Sequence, residues 1–412
     1  MKKDFLIFII LLLLLVSCTQ KPNTPGDTGP GHLGTWITTS STTAFSRSDP
    51  IAYNDRMYFI GELTNVPFHH GDMFSSNYTS NIYPVNAIPL TQTSLENPAL
   101  LTIVQSALIN SDGSTGRWIS STSLPFTGTV TTGTTICTTP AYPASPTSYY
   151  SYIEPVSLMT SNGFIYAFFT QSVLFTKINP DGSLNPWEPA KPIPYSISVT
   201  TITNILAQIG SSITSVSQFC SYYYMPTITE YNGYVYAMFT QTVWATQINS
   251  DGSLKSWQQS MPLTSPVIGM TGFAYNNYLY IIGENPYTYG LSTHNYEIYR
   301  ASIYFDGSLG NWVFLGNWLY GNSLVVLYNS WIYLLGDSLH TNTVTRIPIN
   351  NNGSFGQGLK ETSMLFGWPF VGIGYNNFLY AFGGFPVTQT SGGVYTTQGS
   401  FTTTVEYTKI YP

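Results

Sequence analysis

Three acidic side chains close copies of one short phrase. YNDRMYFIGE (53–62) ends in Glu62, YNNYLYIIGE (275–284) in Glu284 and YNSWIYLLGD (328–337) in Asp337. In a chain with only 8% charged residues, three carboxylates at one position of a phrase are a concentration of charge. Brought into one ring, their oxygens could ligate a hard cation such as calcium. Alternatively, a protonated and an ionised carboxyl could act as acid and base on a bound sugar. Three further copies of the phrase place Thr170, Thr240 and Gly384 there instead. The plainer reading, polar residues that cap strand ends in solvent, is the favoured one, and no cofactor is expected.

Other residues invite the same weighing. His69, His70 and Asp72 (HHGD) are metal-ligand types, but adjacent residues of a strand point to opposite sides and no second cluster completes a set. A surface loop is the better reading. Tyrosine is abundant, 32 in 412 residues, and gathers in PAYPASPTSYYSY (140–152), FCSYYYMP (219–226) and NPYTYG (285–290). Tyr149, Tyr150, Tyr222, Tyr223, Tyr287 and Tyr289 thus become candidates for a contact surface, since a rigid ring with a polar tip suits carbohydrate faces and protein partners. Packing of these segments against the body of the fold is the alternative. Arg47, Arg56, Arg117, Arg300 and Arg346 are scattered, which weakens the case for an anionic-sugar site.

The elements that position these residues follow from repetition. The phrase occurs six times, adding SNGFIYAFFT (161–170), YNGYVYAMFT (231–240) and YNNFLYAFGG (375–384), each with a tyrosine four residues after the asparagine. A second phrase follows it: INSDGSTGRW (109–118), INPDGSLNPW (178–187), INSDGSLKSW (248–257), IYFDGSLGNW (303–312) and the worn INNNGSFGQG (349–358). Asparagine and Asp-Gly tolerate the positive φ of two-residue hairpins, and the flanks are β-branched and aromatic. One unit therefore reads as four strands: a, Asn turn, b, connection, c, DG turn, d, with strand d ending at the tryptophan. Repeated radially, this is an all-β propeller of six four-stranded antiparallel blades. The sixth unit stops after TTTVEYTKIYP (402–412), and GTWITTS (34–40), with Trp36, supplies its missing strand. The N-terminal strand thus completes the C-terminal blade and closes the ring.

The pattern resembles the kelch family, whose strand b typically ends in a glycine pair, as at Gly383-Gly384, with a tyrosine before it and a tryptophan later. The sialidase Asp-box is set aside, because it places a residue between Asp and Gly. The resemblance spans 33–412 and is divergent, since the other blades end in Gly-Glu, Gly-Asp or Phe-Thr. In such a meander the Asn and DG turns share one face of the disk, and the b–c loops and d-to-a crossovers share the other. The long connections 63–98, 119–153, 188–223 and 385–400 all fall on that second face, and long ordered loops carry function. Cys137 and Cys220 sit in neighbouring crossovers, where a disulfide is expected. His294 and His340 lie in b–c loops of adjacent blades. Copper oxidases of the galactose oxidase type use tyrosine and histidine on a similar propeller, but no motif here assigns such ligands. Sialic-acid mutarotases also resemble this architecture, which raises a periplasmic sugar isomerase or mutarotase as the enzymatic alternative.

The N-terminus sets the address. Lys2 and Lys3 precede the apolar run 5–16, too short for a membrane span and suited to a signal-peptide core. It ends in LVSC (15–18), which resembles the bacterial lipoprotein signal. That resemblance implies removal of 1–17, lipidation of Cys18 (palmitate among the acyl chains), a tether over 18–32 and a propeller over 33–412. Thr19, rather than aspartate, points to the outer membrane. With a net charge of −6 and no basic run, nucleic acid is excluded as a partner. The expectation is a non-enzymatic envelope module that binds a glycan or an envelope or surface protein. A structural scaffold is the further alternative.

Overall fold

The computed structural model describes residues 29–42, 50–62, 102–121, 124, 157–168, 172–194, 226–285, 295–320, 323–336, 342–367, 369, 371–389, 395–397 and 402–412. Among these there is no helix, and the strands form six four-stranded antiparallel sheets plus one of three strands. The chain opens with β1 (Ile37–Thr39). Blade one is β2 (Ile51–Tyr53), β3 (Arg56–Glu62), β4 (Thr102–Leu108) and β5 (Ile119–Ser120); blade two is β6 (Ser157–Ser161), β7 (Phe164–Phe168), β8 (Val173–Lys177) and β9 (Glu188–Ala190). Blade three is β10 (Thr227–Tyr231), β11 (Tyr234–Met238), β12 (Val243–Gln247) and β13 (Gln258–Gln259). Blade four is β14 (Ile268–Tyr275), β15 (Tyr278–Glu284), β16 (Tyr296–Ser302) and β17 (Val313–Trp318); blade five is β18 (Leu324–Tyr328), β19 (Trp331–Leu335), β20 (Val344–Pro348) and β21 (Leu359–Lys360). The small sheet joins β22 (Phe366–Gly367), β25 (Phe385–Gln389) and β26 (Tyr395–Thr397). Blade six, built from β23 (Val371–Tyr375), β24 (Phe378–Phe382) and β27 (Val405–Lys409), takes β1 as its outer strand, with Ile37 opposite Tyr407 and Thr39 opposite Val405. The molecule is a closed six-bladed β-propeller.

The asparagine turns are hairpins of the expected kind. Both central residues have positive φ at Asn54-Asp55, Asn162-Gly163, Asn232-Gly233, Asn276-Asn277 and Asn376-Asn377, and Asn329 has it alone in blade five. The hydrophobic core is divided among the six seams between neighbouring blades. Leu279, Ile281 and Tyr299 of blade four pack on Tyr236, Met238 and Val243 of blade three, while Tyr280, Ile282 and Ile298 pack on Ile332, Leu334 and Ile347 of blade five. Alternate residues of a strand face opposite sides, so each blade feeds two cores and reads as nearly continuous apolar sequence.

Two expectations need correction. The tryptophan does not end strand d but precedes it: Trp36, Trp118, Trp187, Trp257 and Trp312 stand immediately before β1, β5, β9, β13 and β17. The intervening residues are spent returning from the DG turn, through single bridges such as Ile109–Thr115 and Ile248–Leu254. The b–c connection 385–400 is also more than a loop, because its β25 pairs with β26 and with β22 of the preceding crossover.

Candidate functional site

The repeated phrases prove to be two halves of one device. The tyrosine four residues after each asparagine is buried and donates its hydroxyl to the carbonyl of the c–d turn glycine of the next blade. The pairs are Tyr58–Gly182 (3.0 Å), Tyr166–Gly252 (2.8 Å), Tyr236–Gly307 (3.0 Å), Tyr280–Gly353 (3.1 Å), Tyr333–Gly31 (2.7 Å) and Tyr380–Gly113 (2.9 Å). Burial raises all six phenols well above the usual tyrosine range, Tyr58 and Tyr280 to about 12. They remain neutral donors at any physiological pH. The residue that opens strand b lies against the same glycine: a Cβ on Gly252 would meet the Phe164 ring at 2.5 Å and one on Gly307 the Tyr234 ring at 2.1 Å. With φ of +86° and +79° as well, glycine is required at both. The turn aspartates act within their own turns: Asp112, Asp181, Asp251 and Asp306 each accept from the serine two residues on, which lowers their pKa.

Further links run between blades on this face. Tyr231, Tyr328 and Tyr375 accept the backbone N–H of Asn277, Asn377 and Asp55 in the next blade's turn. Arg56, Arg300 and Arg346 each reach a turn carbonyl of the following blade, so these three of the scattered arginines act as staples between blades, while Arg47 lies outside the described residues. In blade six the broken c–d turn is rebuilt across the two chain ends. Gly31 donates to Tyr411 O, Tyr411 donates to His32 O, the His32 and Tyr411 rings stack at 4.5 Å, and Leu33 bridges Ile410. PGHLGTW (30–36) is therefore a sixth copy of the DG phrase, legible against DGSLGNW (306–312) but missed because it lacks the aspartate. The fold is engaged from Gly29, ahead of the boundary read at residue 33, because Arg346 donates to Gly29 O and Pro30 O. Arg346 also pairs with Glu361 at 2.7 Å, and Glu361 accepts the N–H of Leu33 at 2.8 Å.

The opposite face carries Glu62, Thr240, Glu284 and Gly384, at or just beyond the ends of strands b. Glu284 ends β15 and is fully enclosed, with 0% exposure. It is not the solvated cap expected of it. Its backbone registers with Tyr296, and Glu297 registers with Gly283, so the two carboxylates of this hairpin point to opposite faces of the blade, towards blades five and three. Glu297 accepts from Tyr299 (2.6 Å) and Asn285 (2.7 Å). Burial, then the bond to Glu297, raises the Tyr299 hydroxyl to about 12. The hairpin therefore offers no acid–base pair to one substrate. Thr240 is buried, Gly384 follows β24, and Glu62 ends β3 opposite Thr102. Among the described residues no group of three or more His, Cys, Asp and Glu could hold a metal ion. Asp337, Thr170, Tyr149, Tyr150, Tyr222, Tyr223, Tyr287, Tyr289, Cys18, Cys137, Cys220, His69, His70, Asp72, His294 and His340 lie outside the described residues.

Sequence reading missed Glu406. It sits mid-strand in β27, is 1% exposed, and accepts the backbone N–H groups of Leu365 (2.7 Å) and Phe366 (3.3 Å). Burial drives its pKa up to about 7, offset in part by those two bonds. It ties the crossover that carries β22, and hence the small sheet, to blade six. A lone acid in the β-branched run TTTVEYTKI (402–410) was the available signal.

No protein-family model matches the chain, and no curated protein matches it. Among solved structures, a Bacteroides fragilis NCTC 9343 protein described as a candidate 6-phosphogluconolactonase aligns over 93% of this chain and 99% of its own, at 12% identity and TM-score 0.42. A Bacteroides uniformis ATCC 8492 protein of the same description covers 74% and 81%, at 12% and 0.39. YjhT covers 56% and 72%, at 12% and 0.36. Scores this low carry no functional argument, and the six-bladed class stands on the strand pairing above.

Proposed function

We propose that this chain is a kelch-like bacterial lipoprotein, anchored through Cys18 in the cell envelope, whose loop-rich face binds a glycan or a partner protein without chemical turnover. One observation carries the reading: the disk is two-sided. The tight-turn face is tied blade to blade by repeated backbone-directed hydrogen bonds that leave few groups for a ligand. The connections that differ from blade to blade in length and sequence, including the small sheet on β22, leave from the other face. The sugar isomerase or mutarotase alternative would require an acid and a base on one substrate. The divergent directions of Glu284 and Glu297 argue against that hairpin as their source. A glycan array probed with the chain from Thr19 onward tests the proposal. Binding to a defined glycan class that Tyr222→Ala or Tyr223→Ala abolishes supports it, and sugar turnover lost in Glu284→Gln overturns it.

A further inference from the structure

The six copies of the c–d turn act as controls for one another. At the position after the isoleucine, four copies carry asparagine: Asn110, Asn179, Asn249 and Asn350. Each donates its side-chain amide to the serine hydroxyl four residues on, at 2.9 Å, and closes its turn. Blade four carries Tyr304 there, followed by Phe305, and forgoes that hydrogen bond. Phe305 gains no burial, at 98% exposure, and Tyr304, which lies against Gly310, stays 54% exposed. A turn that surrenders a closing bond to hold two aromatic rings in solvent has a use for the rings outside the fold. Scattered exposed apolar residues need no explanation, but this pair breaks a pattern that four of the six turns keep, and the remaining turn, rebuilt from the chain ends, carries Tyr411 at the same position.

The position of the chain entry says what covers them. Gly31 takes the place of the turn glycine in blade six, so the N-terminal segment joins the ring on the tight-turn face, the face that presents Tyr304 and Phe305. At ~3.5 Å per residue the chain between Cys18 and Gly29 reaches no more than about 40 Å. A lipid on Cys18 therefore holds this face near a bilayer. Tyr411, 39% exposed and stacked on His32, occupies the equivalent turn position beside the entry point. Aromatic side chains with a polar edge settle at the headgroup level of a membrane.

Resting on the lipoprotein reading, we propose that the Tyr304–Phe305 turn is a membrane-contact tip that inserts into the interface of the bilayer holding the anchor, and so turns the loop-rich face outward. Exposed Asp112, Asp181, Asp251 and Asp306 share this face with Arg56 and Arg300, so both signs of charge are present and the rings, rather than headgroup charge, make the contact.

The test uses the full chain in cells. Phe305 is replaced by photoreactive p-benzoylphenylalanine, which preserves an apolar ring, and the equivalent Ser111 and Ser250 carry the same probe as controls. On irradiation, position 305 is expected to form an adduct with phosphate-labelled phospholipid at least tenfold above either control. An adduct of twice the chain mass, an adduct with another protein, or a lipid yield equal to the controls overturns the proposal. Labelled palmitate, with Cys18→Ala as its blank, reads the anchor separately. A palmitoylated chain without lipid adduct at 305 refutes the tip and leaves the anchor standing, whereas an unlabelled chain that still forms the adduct refutes the anchor and leaves the tip.

Discussion

Replacing Tyr236 by phenylalanine removes one oxygen and keeps the ring. That hydroxyl is buried and donates to Gly307 O at 3.0 Å across the seam between blades three and four. A net hydrogen bond is worth ~0.5–1.5 kcal/mol, and the buried carbonyl left behind adds its own desolvation cost, so the loss should be about 1–2 kcal/mol. The same value should recur at Tyr58, Tyr166, Tyr280, Tyr333 and Tyr380, because each makes the same bond to the next blade. Equilibrium urea unfolding followed by tryptophan fluorescence reads it, as a midpoint lowered by a few tenths molar with an unchanged slope. The exposed Tyr304→Phe is the control and should stay within about 0.5 kcal/mol of the parent. If the six latch variants cannot be told from that control, the reasoning that the repeated tyrosine and glycine exist to join blades is wrong.

Further outcomes follow from the same geometry. Gly252→Ala combines a Cβ at φ +86° with overlap on the Phe164 ring and should cost at least ~2 kcal/mol in the same assay, since left-handed backbone alone costs an L-residue roughly 1–2 kcal/mol. Arg346→Met strands Glu361 at the closing seam and should cost about 3–5 kcal/mol, whereas Arg346→Met with Glu361→Leu should recover much of that loss, as neutralised buried pairs do. Glu406 has its pKa raised from 4.5 to about 7, so between those values the folded chain holds a proton that the unfolded chain has released. Its contribution is therefore full below pH 4.5 and fades as pH rises to 7, by on the order of 3 kcal/mol. Glu406→Gln should flatten that part of the stability–pH curve, and an unchanged slope would refute the assignment.

The ring was legible in the sequence because its periodic residues are joinery. Asn-x turns, DG turns and the tyrosine recur since six seams pose one geometric problem, and even the closure could be read from Trp36. The partnership between tyrosine and glycine was not legible, because donor and acceptor belong to different copies and lie from 71 residues apart, for Tyr236 and Gly307, to 302, for Tyr333 and Gly31. Glu284 was misread for a related reason. Its place at the end of strand b was correct, but no local signal says that blade five covers that side of the hairpin. Glu406 escaped because a single acid in a strand looks like a solvent-facing residue until the crossover that it holds is seen. The tyrosine-rich connections share no repeat, so symmetry could place them on a face but could not arrange their side chains.

The division of labour between the two faces is tested most directly by exchanging the small sheet. Residues 385–400, which carry β25 and β26, would be replaced by a short turn in the chain from Thr19 onward, and this variant compared with Asp181→Ala on the tight-turn face for binding to a glycan class that the parent binds on the array. The account predicts that the exchange lowers affinity at least tenfold while the urea midpoint holds, and that Asp181→Ala leaves affinity unchanged. Binding that survives the exchange and is lost with Asp181→Ala would place the recognition surface on the wrong side of the disk and contradict it.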